Sequence, residues 1–156
     1  MTVRLGGRAI QLIAALGLLI GLAAGTTADA GADHDVKWIS LDLGDQYLVA
    51  WEGGVPVYET AVSTGRAGFE TPTGGYQIER KFAAQDLAGS RGGEAWYVPG
   101  VPHVMYFTDV GHALHGAYWH DDFGAPRSHS CVNLPTEVAA WLYDWAPVGT
   151  WLEISD

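Results

Sequence analysis

Ser128-His129-Ser130-Cys131-Val132-Asn133 is the stretch that decides how this chain is read, because it holds the one cysteine in the sequence. A thiol is a useful nucleophile only as thiolate, and a neighbouring imidazole is the usual means of making one. Two imidazoles qualify: His129, just before the sulfur, and His115, on a strand candidate upstream. A strand carrying His115 beside the turn carrying Cys131 brings imidazole and sulfur within hydrogen-bond reach. Backbone N–H groups around Cys131 can then hold the oxyanion of a tetrahedral intermediate. The competing readings are structural: Cys131 as a small buried hydrophobe, His115 as a satisfied core histidine, His129 as packing.

Downstream of the cysteine the pattern is helical. Pro135 precedes Thr136, a good N-cap, and Val138, Trp141, Leu142 and Trp145 then recur on one face until Pro147. A final strand is expected over Thr150–Ser155. Upstream, Lys37–Leu41, Gln46–Trp51, Val55–Val62 and Tyr76–Phe82 read as strands separated by turn clusters such as Ser63-Thr64-Gly65 and Thr71-Pro72-Thr73-Gly74-Gly75. Pro56 marks an edge strand or a strand start. Val104–Thr108 and Ala113–Trp119 are further strand candidates. Residues 83–100, with Gly89, Gly92 and Gly93, read as a long loop placed to act as a lid. The expected fold is mainly β, with one helix after the cysteine and no repeat, linker or second domain in residues 31–156.

Residues 1–30 read as a cleaved leader. Arg4 and Arg8 form a positive start, Ala9–Ala24 is mostly apolar, and Ala28-Asp29-Ala30 offers a small-x-small cleavage pattern. The alternative is an uncleaved membrane anchor, opposed by an apolar stretch shorter than the roughly 20 residues a spanning helix needs; once the leader is cleaved, no stable membrane insertion is expected. The chain of 156 residues carries a net charge of -10 and no Lys/Arg run, which argues against a nucleic-acid partner. Apolar residues at 48%, with seven Trp, argue for a packed globule instead. An exported chain with a single Cys forms no internal disulfide, so a reactive thiol becomes a natural reading.

His115-Gly116-Ala117 followed by Ser128-His129-Ser130-Cys131-Val132-Asn133 resembles the catalytic motif of the L,D-transpeptidase (YkuD) family. Val62-Ser63-Thr64-Gly65 with Thr71-Pro72-Thr73-Gly74, and Gly149-Thr150 before a strand, resemble that family too, so the likeness spans about residues 36–155. The resemblance implies a β-rich, sandwich-like fold with the cysteine at the mouth of a cleft, and a bacterial, extracytoplasmic enzyme acting on peptidoglycan stem peptides. Cys131 would attack the carbonyl at the L-centre of a diamino acid in a tetrapeptide stem and release D-Ala. An amine on a neighbouring stem, or on an exported protein, would resolve the thioester. The resemblance also implies sensitivity to carbapenems. It assigns His115 as base, the Gly116 carbonyl as its orienting partner, His129 as a shaper of the site, and the N–H groups of Ser130 and Cys131 to the oxyanion hole. Asn133 would support the loop or touch the stem.

No metal or organic cofactor is implied. The family pattern has Gly at the position of Ser130, so Ser130→Gly is expected to keep or raise activity. Two further functions share these residues: an L,D-carboxypeptidase, with water as acceptor, and a non-catalytic wall-binding module. A zinc site built from His112, His115, His129 and Cys131 is a third reading, opposed by strand alternation, which places His112 and His115 on opposite faces. Trp96, Tyr97, Tyr118 and Trp119 are candidates to line the cleft or to pack. Arg127 and Arg91 can meet a stem carboxylate or stand as surface charge. His103 and His120 read as surface or lining residues, and Asp121-Asp122 as a solvated turn or an attractor of the acceptor amine.

Overall fold

The computed structural model describes residues 36–156; the leader read over residues 1–30 lies outside them. Nine strands and one helix run in the order β1 (Lys37–Asp42), β2 (Tyr47–Glu52), β3 (Val55–Ala61), β4 (Gly74–Gln77), β5 (Arg80–Arg91), β6 (Glu94–Tyr106), β7 (Ala113–Gly116), β8 (Val132–Leu134), α1 (Thr136–Trp145) and β9 (Trp151–Ser155). They form a five-stranded sheet, β3-β2-β1-β9-β4, and a four-stranded sheet, β5-β6-β7-β8. The fold is therefore mainly β, two sheets with one helix near the C-terminus. Among the described residues, no helix is long and apolar enough to cross a membrane.

Period-two patterning builds the first sheet. Ile39 and Leu41 of β1, Leu48 and Ala50 of β2, and Leu152 and Ile154 of β9 are buried on its inner face. They share one apolar cluster with Met105, Leu114, Val132 and Leu134 of the second sheet and with Ala139 and Leu142 of α1. β1 and β9 pair in parallel, with Ile39 opposite Leu152. Pro56 lies on β3, an edge of this sheet, where a missing N–H costs no ladder bond.

Four expectations are corrected. Residues 83–100 are not a loop: they lie within an antiparallel hairpin of β5 and β6 that turns at Gly92-Gly93. β5 is poor in strand-favouring residues and has no buried position, so the apolar alternation that would reveal it is missing. The expected strand Tyr76–Phe82 is two strands, since Ile78 N–H donates to Thr150, just before β9 of the first sheet, and Glu79 N–H to Tyr106 in the second. The chain changes sheets between those two residues. Thr136 is the first helical residue rather than the cap; Pro135 occupies the cap position without a side-chain bond, its fixed φ suiting the helix entry. The strand expected over Ala113–Trp119 ends at Gly116, and the short β8, Val132–Leu134, went unforeseen.

β7 and β8 are parallel and buried throughout, as parallel strands usually are. Gly116 is where α1 closes on them. A Cβ there would stand 2.9 Å from Pro102 Cγ and 3.3 Å from Ala139 Cβ, so the helix packs against this strand only because position 116 lacks a side chain. Leu142 carries the helix's share of the common core, fully buried. Its truncation to Ala should cost about 2–5 kcal/mol, measured as a lower urea midpoint at unchanged m-value.

Candidate active site

The register of β7 and β8 places His115 opposite Asn133 and Leu114 opposite Val132. Cys131 stands one residue before β8, so strand alternation puts it on the same face as Asn133 and hence beside His115. All three line a cleft of about 730 Å³. One wall of that cleft is the β5–β6 hairpin, from Gln85 to Arg91 with Trp96 and Val98.

The cysteine segment is held from behind by the Ser63–Thr71 loop. Ser63 and Asn133 exchange both backbone hydrogen bonds, Ser63 N–H to Asn133 O at 3.0 Å and Asn133 N–H to Ser63 O at 2.8 Å. The Thr64 carbonyl accepts from the N–H groups of Arg127 and Ser128, and the Ser128 carbonyl accepts from Arg66 N–H. Thr71 Oγ1 accepts from Gly65 N–H and donates to the Ser130 carbonyl at 3.0 Å. Ser128 Oγ donates to the Cys131 carbonyl. A Cβ on Gly65 would collide with the backbone of Phe69, Glu70 and Thr71, so the tight return of this loop requires glycine.

His115 is 3% exposed. Its Nδ1–H donates to the Gly116 carbonyl at 3.2 Å, which leaves the Nε2 lone pair free. Burial pushes its pKa down to about 4, against the pull of the Gly116 carbonyl, with the neighbouring His120 charge also lowering it. Burial pushes the Cys131 thiol up to about 11, although the Ala113 N–H at the sulfur works the other way. The thiol itself donates to the Gly111 carbonyl at 3.8 Å. Both groups are thus neutral at rest. This is a thiol beside a neutral base, not a standing thiolate–imidazolium pair.

His129 lines the same cleft, but its ring is engaged by other partners. Its Nε2 lies 2.7 Å from Glu94 Oε1 and 3.2 Å from Arg66 Nη2, and Glu94 Oε2 also pairs with Arg66. The ring stacks on Trp96 at 4.2 Å and meets Phe69 edge-on at 4.9 Å. Glu94 and Trp96 belong to the hairpin, so His129 ties the cleft wall to the cysteine segment. The bonds from His129 and Arg66 hold the Glu94 carboxyl below its usual range. Arg66 and Glu94 had no sequence signal, because their partnership spans separate parts of the chain.

Other expected site residues separate clearly. Trp119 lines the cleft with its ring centroid 5.8 Å from that of His115. Arg127 lines it too, exposed and 3.5 Å from Asp122. Ser130 lines it with φ +88°, a left-handed conformation. Tyr118 does not: it is 54% exposed and donates to the Pro99 carbonyl outside the cleft. Tyr97 is likewise outside, bonded to Asp86, and His103 packs near Tyr143. Trp96 and Arg91 do line the cleft. His112 lies in the turn before β7 rather than on the strand, so alternation does not separate it from His115, and both face the cleft. Among the described residues no three His, Cys, Asp or Glu side chains converge on a possible metal position.

The family profile described as the L,D-transpeptidase catalytic domain, YkuD, matches residues 36–154. The chain belongs to this family. The fold recurs in an L,D-transpeptidase from Mycobacterium smegmatis at TM-score 0.70 and 24% identity, over 77% of this chain and 58% of that one. The catalytic domain of the Enterococcus faecium L,D-transpeptidase matches at TM-score 0.69 and 25% identity, over 77% of this chain and 97% of that one. L,D-transpeptidase 3 from Mycobacterium tuberculosis, solved with a faropenem-derived adduct, matches at TM-score 0.71 and 19% identity, over 78% and 60%. This chain spans only 58% and 49% of the first two solved relatives it matches. No curated protein matches it.

Two substitutions test how the site is held. Ser130→Gly relieves a left-handed non-glycine residue, and after the entropy cost of glycine should stabilise the fold by about 0.5–1 kcal/mol in urea unfolding, with thiol acylation kept or raised. Thr71→Val removes the buried hydroxyl that joins Gly65 to Ser130, and should cost about 1–3 kcal/mol and slow acylation by a β-lactam, followed by intact-protein mass spectrometry.

Proposed function

We propose that the protein is a peptidoglycan L,D-transpeptidase working outside the cytoplasmic membrane, with Cys131 as nucleophile and His115 as base. The observation that carries this reading is the shared placement of Cys131 and His115 in one cleft, with His115 Nδ1–H committed to Gly116 and Nε2 left to accept. Family members act on peptidoglycan stem peptides, and that substrate class is carried to this chain.

Because the thiol and the imidazole are both neutral, sulfur attacks as its proton passes to His115 Nε2. The new S–C bond pushes the carbonyl electrons onto oxygen. Ser130 and Cys131 N–H groups, which enter no turn or loop hydrogen bond among the described residues, are assigned to that oxyanion. Collapse breaks the C–N bond, and His115 returns its proton to the departing D-Ala amine. An acceptor amine then attacks the thioester, its proton passes through His115 to sulfur, and the cross-linked or protein-anchored stem leaves. No metal or organic cofactor enters these steps. His129, bound to Glu94 and stacked on Trp96, shapes the site without moving a proton. Export by way of the leader at residues 1–30 belongs to the same proposal.

Mass spectrometry after exposure to a carbapenem should show one covalent adduct, lost in Cys131→Ala and strongly slowed in His115→Ala. Failure of the wild type to form an adduct would favour a non-catalytic wall-binding module. Products from a tetrapeptide stem with and without an acceptor amine separate transfer from hydrolysis. The pH dependence of acylation is a further check. His115 must be neutral to accept a proton, and its folded pKa lies near 4 rather than 6.5, so the acid limb should fall near pH 4 and the rate should be flat from about pH 5 to 8. A limb between about pH 6 and 7 would remove His115 from the role of buried base.

A further inference from the structure

His120 is fixed by two hydrogen bonds that together determine where its proton sits. Its Nδ1 lies 3.1 Å from the backbone N–H of Asp122. That N–H can only donate, so Nδ1 accepts and carries no proton. A neutral imidazole then holds its proton on Nε2. Nε2 lies 2.8 Å from the side-chain amide of Asn133. An Nε2–H facing an NH2 group would set two donors against each other, so the Asn133 carboxamide must turn its oxygen to His120. Flipping the imidazole instead would face Asp122 N–H with a ring carbon and lose the first bond.

The turned carboxamide points its NH2 the other way. That side of Asn133 has no hydrogen-bond partner among the described residues and is not sealed from solvent. Asn133 lines the cleft, on the face it shares with Cys131 and opposite His115 in register. We propose that His120 is a positioning residue that turns the Asn133 NH2 group into the cleft, where it donates to a carbonyl oxygen of the acyl-donor peptide. The His120 tautomer thereby sets the polarity of recognition. The reversed amide would offer an oxygen and select an ammonium or N–H group instead. This inference rests on the proposed function for the identity of the peptide, but the orientation of the amide does not.

Two measurements on the full chain separate those dependences. Long-range proton–nitrogen NMR at about pH 8, where an ordinary imidazole is neutral, reads the tautomer directly and needs no activity or variant. Nε2–H on His120 is the expected result; Nδ1–H overturns the proposal. With a tetrapeptide stem as donor, His120→Ala should raise KM about tenfold, the value of one directed hydrogen bond. His120→Gln, which can accept from Asp122 and donate to Asn133, should recover to within about threefold. Alkylation of Cys131 by iodoacetamide, which needs no peptide recognition, should change by less than about twofold in both. Equal impairment of the Gln and Ala variants, or alkylation falling in step with peptide turnover, overturns the positioning role. Absence of turnover by the wild type overturns the proposed function, while the NMR result still decides the amide.

Discussion

The backbone pairing between the Ser63–Thr71 loop and the segment from Arg127 to Asn133 is the constraint on which the site depends. Ser63 bridges Asn133 and Gly65 bridges Ser128, one antiparallel and one parallel, each an isolated pair rather than part of a strand ladder. Such bridges are local and would be weak in water. Here they are buried, so each unmade bond would leave a desolvated polar group behind. That penalty makes the loop conformation definite. It also explains why a glycine at 65 and a threonine at 71 accompany a cysteine far along the chain: one allows the tight return, the other carries a hydroxyl to the Ser130 carbonyl.

Burial does the second part of the work. It keeps His115 neutral and the Cys131 thiol protonated, so the pair is not spent as a resting ion pair exposed to oxidation or stray alkylation. A partly exposed thiol gains from that restraint. The reactive state then arises only where an electrophile is presented to the sulfur with the Nε2 lone pair beside it. Ser130 stands in a left-handed conformation next to this sulfur, strain which the Thr71 hydroxyl and the surrounding bridges hold in place.

The hairpin wall is secured by a different kind of contact. Arg66, Glu94 and His129 meet through charged hydrogen bonds at a half-exposed position, where ion pairs alone contribute little. Stacking of His129 on Trp96, with Phe69 at its edge, adds apolar area and a fixed ring plane. His129 thus belongs to the architecture of the cleft, although its place beside the cysteine in sequence invites a reading as a second base.

Local patterning in the sequence determined most of the first sheet and the helix, and singled out one thiol with two candidate imidazoles, because these depend on alternation, a helical face and short-range chemistry. The hairpin over residues 83–100 escaped it, since those residues of β5 and β6 hold no buried position and so show no apolar period. So did the three-residue β8, too short to show one. Which histidine serves the thiol could be stated from sequence only through family resemblance. The tertiary structure supplies the placements: β7 sets His115 beside the thiol's segment, while Glu94 and Trp96, brought back by the hairpin, bind the His129 ring at the cleft wall. The sign of the Asn133 amide lies deeper still, in a hydrogen bond from the backbone of Asp122 to His120. Contacts between distant segments decide orientation, and no spacing along a chain encodes them.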